Sequence, residues 1–226
     1  MITEMLSYGF MCRALVAGTL VSLCAALLGV SLVLKHYAMI GDGLSHVGFG
    51  ALSVALAMNL SPLKVTVPVV VFAAFGLLRL SENKHIKGDA AIALISTSAM
   101  AIGVIVTSLS GGMNVDVYGY MFGSILSMSM EDVYLSVGLS AVVLILFLLF
   151  YHRTFADTFD EGFARATGIH VERYNVLLAM LTAVTVVLGM RMMGTLLISS
   201  LIIFPALSAM RVFKRFLWVV LCAALI

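Results

Sequence analysis

The chain is a succession of long apolar runs separated by short polar breaks. A helix crossing the ~30 Å hydrocarbon layer of a bilayer needs about 20 largely apolar residues. Runs of that order fall at Ala14–Leu34, Ile40–Met58, Pro62–Leu80, Ala90–Leu109, Val133–Tyr151, Tyr174–Met190 and Gly194–Met210. An eighth begins near Phe216 and is still apolar at Ile226. That remnant is too short to span, so the pattern predicts a course continuing past the last residue given. The fold class expected is all-α, a polytopic membrane bundle of about eight transmembrane helices in one permease domain covering residues 1–226. The first run is too long for a secretory h-region and no small-residue cleavage site follows it, so it reads as a retained helix.

The breaks have local causes. Ser61 before Pro62 reads as an N-cap with proline at the first helical position, where its missing N–H is no loss. Ser129 and Asp132 resemble a capping box opening the fifth helix, Ser110-Gly111-Gly112 closes the fourth, and Asp89 after Gly88 reads as the fourth helix's N-cap.

Composition strengthens the membrane reading. Hydrophobic residues make up 62% of the chain and charged residues 11%, with mean hydropathy +1.16. Soluble domains carry about 25% charged residues because their surface faces water. A net charge of +2 without any basic block gives no support for nucleic-acid binding. Cys12, Cys24 and Cys222 are widely spaced and form no CxxC pair, so they read as small apolar side chains rather than a disulfide or thiolate site. Lys and Arg follow the loops unevenly: ten fall after odd-numbered helices, whereas Arg13, Lys64 and Arg191 fall on the other side. The positive-inside rule then places the odd loops in the cytoplasm and the N-terminus outside. Arg191 is an unusual charge at its depth, and the sequence offers no partner for it.

Two segments interrupt the pattern. Asn114–Met128 is too short to cross and fits a re-entrant or interfacial helix on the outer side; its Gly119-x-x-x-Gly123 suits close helix approach. Asn114 and Asp116 there either attract an incoming cation or cap that short helix. The loop 152–173 holds Thr158 and Glu161, a T-x-x-E capping box, with Gly168 at a C-cap position. They enclose a predicted short helix, Phe159–Thr167, on which Phe155, Phe159 and Phe163 would form an apolar ridge if the helix extends backwards. Two turns are not stable alone, so it must rest on its own bundle or on a soluble partner.

The residues closest to chemistry lie in Ile40-Gly41-Asp42-Gly43-Leu44-Ser45-His46. Asp42 and His46 are spaced i, i+4 and share a helix face. An ionisable residue in a membrane helix needs a partner or a watery route, and a carboxylate with an imidazole suits Zn²⁺ or Mn²⁺. The alternative is an Asp–His ion pair with Asp42 capping the helix. Two ligands leave a tetrahedral ion short; two copies meeting on a two-fold axis would supply four. Gly41, Gly43, Gly48 and Gly50 would allow tight packing along the path. Pro205 would kink the seventh helix, and His36, His85, His152 and His170 fall in loops as solvated side chains.

No GxxxxGK[ST], HExxH or GxSxG motif occurs, so ATP cradling, zinc-protease and serine-hydrolase chemistry lack their residues. The segments LVLKHYAMIGDGLSHVGFGALSVAL, VDVYGYMFGSIL, FDEGFARATGI and MGTLLISSLIIFPALSA resemble, in order, the permease subunits of the bacterial zinc/manganese ABC importers. The resemblance implies a homodimeric core in the bacterial plasma membrane, two cytoplasmic ATP-binding subunits that hydrolyse ATP, and an extracytoplasmic metal-binding protein. It implies that Asp42 and His46 line the metal route. It also implies a coupling helix at Phe159–Gly168, with Phe159, Asp160, Glu161, Phe163, Arg165 and Gly168 facing the ATPase. The transported ion would be zinc, with manganese next, and no cofactor would be permanently bound. An ion-coupled secondary transporter would show inverted repeats, and no second copy of the GDGLSH segment is visible. An importer of metal chelates would call for a wider cavity and more helices.

Overall fold

A computed structural model describes residues 9–81, 88–110, 123 and 130–226. Among them are nine helices: α1 Gly9–Leu34, α2 Ala38–Ala57, α3 Pro62–Ser81, α4 Gly88–Leu109, α5 Met130–Phe159, α6 Glu161–Ala166, α7 Val171–Met193, α8 Thr195–Val212 and α9 Phe216–Leu225. Seven are long and apolar enough to cross a membrane, and α9 is a shorter apolar helix. Each predicted run is found, with its ends within a few residues except at α5, which continues two further turns.

Burial sorts these helices. In α2, 72% of the apolar window is buried, against 22% in α4 and in α5. The α2 helix packs on α3, α4, α7 and α8, while α5 lies on α1 and α7. The core is built from side chains such as Leu28, Leu44, Leu77, Leu188, Ile198 and Ile202, all nearly inaccessible. Outer residues such as Phe72, Leu94 and Leu149 are exposed, as a lipid-facing surface requires.

Close helix approach depends on glycine. A Cβ on Gly29 would lie 2.0 Å from the Ile202 carbonyl oxygen, and one on Gly50 would lie 2.5 Å from that of Ala99. These are backbone contacts between α1 and α8 and between α2 and α4, so no side chain fits between them. Gly41, Gly43 and Gly48 of α2 lie instead against the side chains of Ile202, Ile92 and Met190.

Several sequence expectations are corrected or completed. The predicted helix Phe159–Thr167 is divided: Phe159 ends α5, and α6 covers only Glu161–Ala166. Its N-cap is Asp160, whose carboxylate accepts the Phe163 N–H at 2.9 Å; the Thr158 hydroxyl donates backwards to the Thr154 carbonyl instead. Gly168 does close the helix, at φ +85°, with its N–H on Arg165 O and that of Ile169 on Ala164 O. Those two bonds are the Schellman pattern. The chain turn at Asp160 also divides the apolar ridge: Phe155 and Phe159 stack with Phe216 of α9, and Phe163 is exposed apart from them.

At α3 the expectation stands, because Pro62 is its first residue and Val65 N–H reaches the Ser61 carbonyl. Since α4 begins at Gly88, Asp89 lies inside the first turn rather than before it. Of the cysteines, Cys24 is buried, Cys222 partly so, and Cys12 is exposed. Pro205 lies buried within α8, which is helical through it. His36, His152 and His170 are exposed. Asn114, Asp116, Gly119, Ser129, His85 and the remainder of the outer segment, apart from Gly123, lie outside the described residues.

Candidate functional site

Asp42 and His46 stand on one face of α2. The helix begins at Ala38 with Tyr37 as its cap, so Asp42 is too far in to cap it. His46 Nε2 lies 3.7 Å from Asp42 Oδ2, a loose pair. The other carboxylate oxygen accepts a hydrogen bond from Ser199 of α8 at 3.1 Å. Asp42 is 41% exposed and His46 25%, on the open side of a helix otherwise enclosed. No third His, Cys, Asp or Glu joins them among the described residues. The arrangement offers a half-set of oxygen and nitrogen donors at a surface where two helices meet. A carboxylate is not left against acyl chains, so this face needs protein or water over it. Ser199 had no signal in the sequence; it is one of several hydroxyls in an apolar helix.

Lys35, one of the ten basic residues that follow odd-numbered helices, stands at the end of α1. Its side chain is 3% exposed, with Nζ 2.6 Å from Asp157 Oδ2 of α5, whose side chain is 1% exposed. The same ammonium donates to Asn175 Oδ1 of α7 and lies 3.5 Å from Glu161 at the head of α6. One buried cation thus ties the expected coupling helix to three longer ones. Of the predicted coupling residues, Glu161 joins this cluster, Asp160 and Gly168 shape the ends of α6, and Phe163 and Arg165 are exposed.

At the opposite ends of α5 and α7, Arg191 finds its partner: Nη2 lies 2.9 Å from Asp132 Oδ2, both largely shielded. Lys64 of α3 pairs with Glu131 nearby at 2.7 Å in the open. Two acids in the first turn of α5 also suit the positive end of its dipole. These two ionic clusters collect the ends that the alternation of spans assigns to opposite membrane faces.

A helical bundle with seven candidate spans among the described residues, and with its charged residues near the helix ends and on one face of α2, is a multi-pass membrane protein. The chain belongs to the ABC 3 transport family, whose model matches residues 7–226. It is 31% identical over 221 residues to the manganese transport system membrane protein MntC of Halalkalibacterium halodurans, covering 98% of this chain and 75% of that one. To the high-affinity zinc uptake system membrane protein ZnuB of Haemophilus influenzae it is 30% identical, covering 88% and 76%. The solved structure of PsaBC from Streptococcus pneumoniae in complex with Fab superposes with a TM-score of 0.85 at 26% identity, covering all of this chain and 82% of that one. The chain is accordingly a non-catalytic membrane subunit of an ABC transporter of the bacterial plasma membrane, with ATP hydrolysis in a separate subunit.

Proposed function

We propose that this chain forms the membrane core of an importer that moves a single divalent metal ion, zinc before manganese, by alternating access. One observation carries the reading: Asp42 and His46 form a partly open oxygen–nitrogen pair on the most enclosed helix, held by Ser199 of α8. A second copy facing this surface would bring four ligands to one ion, which suits zinc. Relatives named for manganese and for zinc agree with a carboxylate–imidazole pair, which serves both. The N-terminus lies outside. A binding protein delivers the ion near Asn114 and Asp116. It passes Asp42 and His46 held weakly enough to leave, while two ATPase subunits drive α6 from the cytoplasm. The buried Lys35 cluster carries that motion into α1, α5 and α7, and Pro205 gives α8 a place to bend.

The test is uptake of radioactive zinc by the reconstituted complex. Asp42→Ala and His46→Ala should each abolish uptake while size-exclusion chromatography shows the complex assembled. Wild-type uptake by the double variant would sink the assignment. For the facing copies, a cysteine at exposed Met39, one turn before Asp42, should crosslink between protomers in a background lacking native cysteines. Failure to crosslink with any short reagent would remove the shared site.

A further inference from the structure

Arg153, Arg173 and His170 meet in a cavity of about 360 Å³ where the end of α5 adjoins the start of α7, with Thr167, Gly168, Ile169 and Tyr174 completing its wall. Arg165 and Glu172 line an adjoining cavity of about 470 Å³ that shares His170 and Arg173. Among the described residues no carboxylate forms an ion pair with Arg153, Arg165 or Arg173, whereas Lys35, Lys64 and Arg191 each have one. Arg153 is also aimed. Its guanidinium lies over the Tyr174 ring, 5.9 Å from the centroid, and donates to the Tyr174 hydroxyl at 2.5 Å. Tyr174 is in turn braced edge-on by Phe150. The planar fork keeps further N–H donors for an anion.

The level of this cavity follows from α5. About 20 residues cross the hydrocarbon, so a span starting at Val133 reaches the headgroups near Arg153. Below Arg153, Ile145 and Leu149 form an exposed apolar row at i, i+4 spacing. On α7, Arg173 stands above partly exposed Leu177 and then Met180, again one turn apart. Each helix therefore presents a lipid-facing apolar row that ends in an arginine, and the two arginines share one cavity. A soluble partner would cover the basic residues but not the apolar rows beneath them; a lipid covers both.

We propose that this corner binds an anionic phospholipid, its phosphate held by Arg153, Arg173 and His170 and its acyl chains lying along the rows of α5 and α7. Basic pockets between membrane helices are suited to such headgroups. The site is separate from Asp42 and His46 and does not depend on which metal is carried.

The experiment is native mass spectrometry of the delipidated chain, titrated with dioleoylphosphatidylglycerol or dioleoylphosphatidylcholine. The glycerol lipid should be retained at least tenfold better. The double variant Arg153→Gln/Arg173→Gln should lose most of that preference, Arg153→Lys/Arg173→Lys should keep a good part of it, and Arg211→Gln, a basic residue elsewhere, should leave it unchanged. Millimolar inorganic phosphate should not displace the lipid. Equal retention of the two lipids by the wild-type chain, which needs no variant to fold, overturns the proposal. So does displacement by phosphate, which would mark a site for free anions. Loss of ATPase capture in the glutamine variant, with lipid retention intact, would reassign the corner to a protein partner and overturn it as well.

Discussion

Asp42 is a carboxylate with two different neighbours, and the difference defines what each should do. The imidazole of His46 is a candidate ligand, whereas the Ser199 hydroxyl only orients the acid. Groups that hold a metal ligand in place are typically worth 10–100-fold in metal affinity. Ser199→Ala should therefore raise the half-saturating zinc concentration about tenfold while leaving maximal uptake largely intact, in contrast with Asp42→Ala. An uptake titration separates the two. Lys35 makes a different demand. Removing one partner of a buried ion pair costs about 3–5 kcal/mol because the other charge stays behind, whereas replacing both is far milder. Lys35→Met should lower the unfolding temperature sharply, and Lys35→Met/Asp157→Leu should recover most of it, as read by thermal unfolding in detergent. A double variant as unstable as the single one would mean that the pair is not the source.

Among elements, the clearest expectation concerns close backbone contact. Gly29→Ala places a methyl 2.0 Å from the Ile202 carbonyl, so α1 and α8 must separate. Overpacking of this kind costs about 1–3 kcal/mol, visible as a lowered melting temperature; Gly138→Ala, which meets open space, should not lower it this way. For α6, Asp160→Ala removes the cap and should cost about 1 kcal/mol of local order. Its readout is the ratio of metal transported to ATP hydrolysed, which should fall before ATPase activity does. The helices themselves were legible because long apolar runs have few other places to go, and the shared face of Asp42 and His46 followed from i, i+4 spacing alone. The cap of α6 was misread because Thr158 and Glu161 have the right spacing, yet α5 simply continues through Thr158. Extra helical turns beyond the hydrocarbon carry no apolar signature to mark where they stop.

Over the whole molecule, what the sequence hid are contacts between distant polar residues. Lys35 and Asp157 are 122 positions apart, and Ser199 and Asp42 are 157 apart. Periodicity reports the face of one helix and says nothing about which other helix meets it. Arg191 looked misplaced for the same reason until Asp132 stood beside it. At this scale the expected result is that ATPase activity of the reconstituted complex, with loaded binding protein, rises with zinc at lower concentration than with manganese. The reverse order would exchange the two metals without touching the Asp42–His46 assignment.

The ionic ties have a mechanical consequence. Asp132 and Asp157 sit near the two ends of α5, and each reaches a residue at the matching end of α7, Arg191 directly and Asn175 through Lys35. Two antiparallel rods braced by a crosspiece at each end make a closed frame, and such a frame resists sliding of one rod along the other. Any sliding needed to open one side of the bundle is therefore displaced to the seams of α2 with α4 and of α1 with α8. There glycine leaves smooth backbone in contact, so the chain carries its stiffness and its slip in separate places.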